Sequence, residues 1–119
     1  MSNSKFFPER KNFSKIIYAY SKPGKNFENL LNIGETTQTF DQRMKQQFPK
    51  KGPNDVAQYY KQLEESAIRS DGTTFSDHQV HKILKQNGFE NVGGEWFKCE
   101  VNDVKAAIVD IINPFAFFP

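Results

Sequence analysis

Residues 14–21 read Ser-Lys-Ile-Ile-Tyr-Ala-Tyr-Ser. β-branched and aromatic side chains dominate this octapeptide, which is the composition of a strand. Side chains alternate along a strand, so Tyr18 and Tyr20 point to one face. Taken alone, tyrosines two apart in a strand are packing residues. Turn chemistry follows in Ser21-Lys-Pro-Gly-Lys-Asn. Leu30 to Gly34 then forms a second short strand, which Gly34 ends or opens to a close approach. The two segments predict an antiparallel pair joined by a loop of roughly eight residues.

Further along, Phe40, Met44 and Phe48 are spaced by four. That one-sided apolar stripe predicts a helix from about Thr39 to Phe48. Pro49, Gly52 and Pro53 terminate it. Arg43 falls on its exposed side, where context-free reading makes it a surface charge. Residues 55–68 are ambiguous. Val56, Tyr59, Tyr60, Leu63 and Ala67 match a helical period, yet Tyr59–Leu63 also alternates as a strand. Periodicity alone favours helix. Ser76 is an N-cap for a helix running to about Asn87, with Gly88 as its stop. Val80, Ile83 and Leu84 are its buried stripe, and Asp77 sits in its first turn, where a carboxylate suits the helix dipole. Glu95 to Cys99 reads as a short strand. Asn102 is the expected cap of a last helix whose Val104, Ala107, Ile108 and Ile111 face the core. Residues 113–119 are too apolar for a free end, and either pack on this domain or begin another.

The chain has 119 residues, 37% hydrophobic and 25% charged, as expected of one soluble globular domain. No apolar run approaches the ~20 residues that span a bilayer, and the N-terminus lacks a signal-peptide pattern. A cytoplasmic location with no membrane contact is the expectation. The single Cys99 cannot form an internal disulfide, in keeping with a reducing compartment. The net charge of +2 is unevenly spread. Lys5, Arg10, Lys11, Lys15, Lys22 and Lys25 load the first quarter, residues 1–13 forming a basic extension, and Arg43, Lys45, Lys50 and Lys51 surround one helix. Charge of this kind is most simply a solvated surface; it permits a nucleic-acid partner without demanding one.

Nucleotide-binding glycine and phosphate-loop motifs are absent, and one cysteine excludes a cysteine-based zinc site. Asp77 and His81 are four apart on one predicted helix and share a face. They can act on one ligand, or Asp77 serves the helix start while His81 lies at the rim of the core. Gly93-Gly94-Glu95-Trp96-Phe97 reads as a turn and an aromatic anchor with a carboxylate beside the only tryptophan.

The order of these pieces adds to their separate readings. Ile17-Tyr-Ala-Tyr-Ser, Asn32-Ile-Gly-Glu-Thr-Thr and Asp41-Gln-Arg-Met resemble the core of a GIY-YIG nuclease. Asp77-His-Gln-Val-His81 and Gly94-Glu95-Trp-Phe-Lys-Cys99 resemble a bacterial and phage subgroup, often fused to the N-terminus of helicase or restriction proteins. The likeness covers roughly residues 14–112. It implies an α/β fold of the α+β type, a small three-stranded antiparallel sheet flanked by helices, with residues 58–67 as the third strand.

On that resemblance Tyr20 matches the first-motif tyrosine, standing twelve residues before Asn32, and Tyr18 is its alternative. Gly34 matches the second-motif glycine, Arg43 the arginine and Asp77 the metal-ligand acid. Glu95 and His81 join the catalytic set, and Gly34, Asn32, Gln47 and Lys45 the DNA contacts. Asn32 replaces a tyrosine, Asp77 a glutamate and Gln47 a histidine. Asparagine cannot take a proton, so any general-base role passes to Tyr20 or to a cation-bound hydroxide. The implied activity is hydrolysis of DNA phosphodiesters with Mg²⁺ or Mn²⁺. Asp77 would be the ligand, Arg43 would donate to phosphate oxygens, and Tyr20 would orient or deprotonate water. The alternatives are a cleavage-impaired DNA-binding module positioning a helicase or nuclease partner, and a protein-interaction domain.

Overall fold

The computed structural model describes residues 14–50, 52 and 58–114. The basic extension 1–13, Lys51, Val56 and residues 115–119 of the apolar tail lie outside that description. Strand β1 (Ile16–Ser21) leads through a 3-10 turn (Lys25–Phe27) to β2 (Leu30–Thr36). Helix α1 (Phe40–Gln47), β3 (Tyr60–Ser66), α2 (Asp77–Gln86), β4 (Glu90–Gly93), β5 (Trp96–Lys98) and α3 (Val101–Ile112) follow. The strands form one five-stranded sheet in the order β3-β1-β2-β5-β4, with every neighbouring pair antiparallel. This is an α+β architecture. The three-stranded sheet expected from the sequence is therefore corrected, because a β4–β5 hairpin extends it beyond β2.

Strand β1 is covered on both faces: Ile17, Tyr18, Ala19 and Tyr20 are all buried. Ile17 and Ala19 join Leu31, Ile33, Leu63 and Phe97 on one face. Against them pack Val80 and Leu84 of α2 and Val104, Ala107, Ile108 and Ile111 of α3. Each valine, leucine or isoleucine here contributes roughly 1.5–3 kcal/mol on burial, so this face carries most of the stability. The opposite face holds Tyr18 and Tyr20 beneath Phe40 and Met44 of α1. The core stripes read from sequence for α2 and α3 correspond to this packing, with Ile83 only partly buried.

Residues 60–66 are strand rather than the helix their periodicity favoured. Leu63 and Ala67 are the buried positions here, and a spacing of four satisfies a period of two as well as one of 3.6. Strand pairing with β1 decides between them. Helix α3 starts two residues earlier than expected: Glu100, not Asn102, is the cap, and its N–H donates to Asp103 Oδ2 at 2.8 Å. Ser76 does cap α2, and its N–H donates to Gln79 Oε1 at 3.0 Å. Among the described residues, no helix is long and apolar enough to cross a membrane.

Candidate active site

Antiparallel register builds the site. Tyr18 lies directly opposite Gly34 and Tyr20 opposite Asn32 in the β1–β2 pair, while Asn32 lies opposite Trp96 in the β2–β5 pair. All five therefore project from, or open onto, the α1 face of the sheet. Gly34 is needed for packing. A Cβ there would stand 2.6 Å from Tyr18 Oη and 3.1 Å from Glu95 Oε1. The tyrosine is fully buried and has no room to retreat.

Tyr18 and Tyr20 are stacked with centroids 6.2 Å apart, but their hydroxyls have different neighbours. Arg43 Nε donates to Tyr18 Oη at 3.5 Å. Tyr20 is enclosed edge-on by Phe48, Tyr59 and Trp96. It is Tyr18 that meets the arginine. Burial raises the Tyr18 hydroxyl above its ordinary value, with Arg43 opposing and Glu95 and Asp77 adding to the rise. Burial, Tyr18 and Glu95 push Tyr20 up to about 12. At neutral pH fewer than roughly one molecule in 10⁴ would then carry a Tyr20 tyrosinate. Neither tyrosine is set up to deprotonate water, and both remain hydroxyl donors.

Glu95 occupies the two-residue tip of the β4–β5 hairpin with Gly94, whose φ of 54° relieves the turn. The expected strand is thus shortened to Trp96–Lys98, leaving Glu95 free to aim at the site. Its carbonyl accepts from Ile33 N–H at 2.9 Å, tying the tip to β2. Asn32 is satisfied at both ends when its amide nitrogen donates to Glu95 Oε1 at 3.3 Å and its oxygen accepts from the Trp96 indole at 3.3 Å. Asn32 therefore orients the glutamate and is buried.

Asp77, at the start of α2, is also buried. Burial first, then repulsion from Asp77 and a hydrogen bond shared with it, push the Glu95 carboxyl up to about 7, while Arg43 and His78 pull it down. Asp77 is held from behind: its N–H donates to Glu35 Oε1 at 2.7 Å, and Glu35 Oε2 lies 3.6 Å from Lys15 Nζ. Glu35 is the functional neighbour that sequence reasoning missed. Its partner is 42 residues away, so only the tertiary fold reveals it.

The arrangement gathers Tyr18, Arg43, Asp77 and Glu95, with Asn32 and Gly34 as their support. His81 stands apart. Its Nε2 is 2.8 Å from the Ile33 carbonyl, which can only accept, so Nε2 carries the proton. Its ring packs 4.9 Å from Phe97. Lys45 and Gln47 are exposed on α1, and Lys45 lines a shallow cleft with Gln38, Gln42 and Gln46. No three His, Cys, Asp or Glu side chains converge as a metal-ligand group among the described residues. The carboxyls that stand together here are those of Asp77 and Glu95.

The model of the T5orf172 domain family matches residues 15–112. The chain belongs to the T5orf172 family. This corrects the GIY-YIG assignment drawn from the short motifs: that family is not the one that matches. Motifs of a few residues recur across unrelated chains, whereas a match over nearly the whole described domain does not. No curated protein and no solved structure matches the chain. T5orf172 membership is compatible, at the level of broad class, with a nuclease or DNA-binding domain.

Proposed function

We propose that this T5orf172 domain cleaves DNA phosphodiester bonds at the Tyr18–Arg43–Asp77–Glu95 cluster with the help of a divalent cation. The single observation that carries the proposal is a carboxylate pair, Asp77 buried and Glu95 half-buried, beside an arginine. Two like charges sharing one proton at a half-buried site is the situation that a divalent cation relieves. Mg²⁺ is commonly held by one or two carboxylates, with substrate phosphate and water completing its oxygen shell. The donor set fits.

Asp77 would be the ligand, with Glu95 beside it left as a free carboxylate. When bound, the cation would supply charge stabilisation on the phosphate and on the leaving oxygen. Everything else falls to side chains. Arg43 donates its planar fork to the non-bridging phosphate oxygens. Tyr18 fixes the guanidinium through its hydroxyl. Glu95 would receive the proton of the attacking water at its carboxylate. Proton acceptors with pKa values near the working pH perform this step best, and that role here passes from the tyrosines to Glu95. Asn32 holds the glutamate in position through its amide.

Nicking of supercoiled plasmid in Mg²⁺ or Mn²⁺ tests the reading. We expect Asp77→Ala to abolish cleavage and Arg43→Ala to lower the rate by about 10²–10³-fold, the usual effect of removing a transition-state donor. Equal cutting by wild type and Asp77→Ala, or no cutting by wild type in either metal, would overturn it. Salt-dependent DNA binding without turnover would leave a DNA-binding module in its place.

A further inference from the structure

A cleft of about 410 Å³ opens along α2, lined by His78, His81, Lys82, Lys85 and Gln86. None of these residues is acidic. Positions 78, 82 and 85 follow one another at four and three residues, so their side chains form a single row on the helix surface. His81 closes the inner wall, since its ring is committed to the Ile33 carbonyl and Phe97. Lys82 and Lys85 are exposed, and neither belongs to an ion pair found among the described residues.

The row begins at the site. His78 Nε2 lies 3.9 Å from Asp77 Oδ1, and the row then leads away along the helix. From 78 to 85 the helix rises by roughly 10 Å. Over that length one strand of a DNA duplex presents about three phosphates. Lys82 and Lys85 thus place two cations along a length over which one strand presents about three phosphates. The cleft is also open enough for a chain that passes through rather than a ligand that is enclosed.

We propose that the α2 cleft is the backbone track of a nucleic-acid duplex, with Lys82 and Lys85 neutralising successive phosphates on one side of the one at Asp77. This rests on the nucleic-acid reading of the active site and adds the direction in which the strand leaves it.

The test is the affinity of the intact chain for a 20-base-pair duplex, followed by fluorescence anisotropy across a salt series. Each phosphate contact contributes about 0.9 to the slope of log affinity against log salt. Lys82→Gln with Lys85→Gln should therefore flatten the slope by about 1.8, whereas Lys105→Gln, on α3 and outside the cleft, should leave it unchanged. A wild-type slope in the double variant, with wild-type thermal stability, overturns the track while sparing the active-site reading. No binding by wild type at low salt overturns both. Inorganic phosphate at matched ionic strength should not displace the duplex. Displacement at stoichiometric occupancy would make the cleft a free-phosphate site and overturn its assignment to a polymer.

Discussion

Glu95 shows how a single side chain can carry the cost of a site. Its carboxyl, lifted to about 7 by burial and by Asp77, binds its proton more tightly in the folded chain than in the unfolded one. Between its ordinary value near 4.5 and about 7, unfolding therefore releases a proton. Stability falls as pH rises through that window, and the loss is complete above it. Glu95→Gln keeps the shape and the capacity to donate to Asp77 while removing the titration. We expect it to be more stable than wild type at pH 8 by on the order of 1 kcal/mol, once solvent screening of a half-exposed group is allowed for. The two chains should converge at pH 4.5. Urea titrations at both values check this, and an equal difference at both would sink it. Residue types were legible in advance, since Arg43, Asp77 and Glu95 were all singled out. The choice of Tyr18 over Tyr20 was not, because a residue count cannot tell which of two stacked hydroxyls reaches the arginine.

At the scale of elements, legibility followed position in the sheet. The central strands β1 and β2 are buried on both faces through their middles, and their apolar content announced them. The edge strands carry polar residues that discourage further pairing: Lys61, Gln62, Glu64 and Glu65 in β3, Glu90 and Asn91 in β4. That polarity hid β4 entirely and left β3 undecided by periodicity, where the family resemblance made residues 58–67 the strand that is observed. The signal for the missing hairpin was Gly93-Gly94, of which Gly93 ends β4 and Gly94 opens the two-residue turn. Helix α2 depends on a contact no local rule contains, the Glu35 carboxylate receiving the first N–H of the helix. Glu35→Ala should destabilise the fold by about 1 kcal/mol, the typical worth of a lost capping acceptor. It should also speed amide exchange at Asp77. Lys15→Ala, which removes only a partly exposed pair at 3.6 Å, should cost less than about 0.5 kcal/mol. Comparable losses in the two variants would mean that the ion pair, not the cap, fixes α2.

For the molecule as a whole, the larger apolar layer under α2 and α3 is a reporter of its own integrity. Cys99 lies in that layer, and burial, with Asp103 and Glu100 nearby, pushes its thiol up to about 11. A thiol so protonated and so enclosed is unreactive. Native chain at pH 8 should resist iodoacetamide, with labelling appearing only across the urea unfolding transition. Prompt labelling without denaturant would show that the layer opens locally. One consequence concerns protein engineering. In β1 and β2 the even-numbered positions 18, 20, 32 and 34 face the chemistry, while 17, 19, 31 and 33 face the stabilising layer. Chemistry and foldability are thus written on alternate letters of the same two words. A library randomised at 20 and 32 alone would vary the floor of the site while leaving the aliphatic layer as it is. A single-residue insertion in either strand would exchange the two alphabets at once, and no later substitution could restore one without rewriting the other.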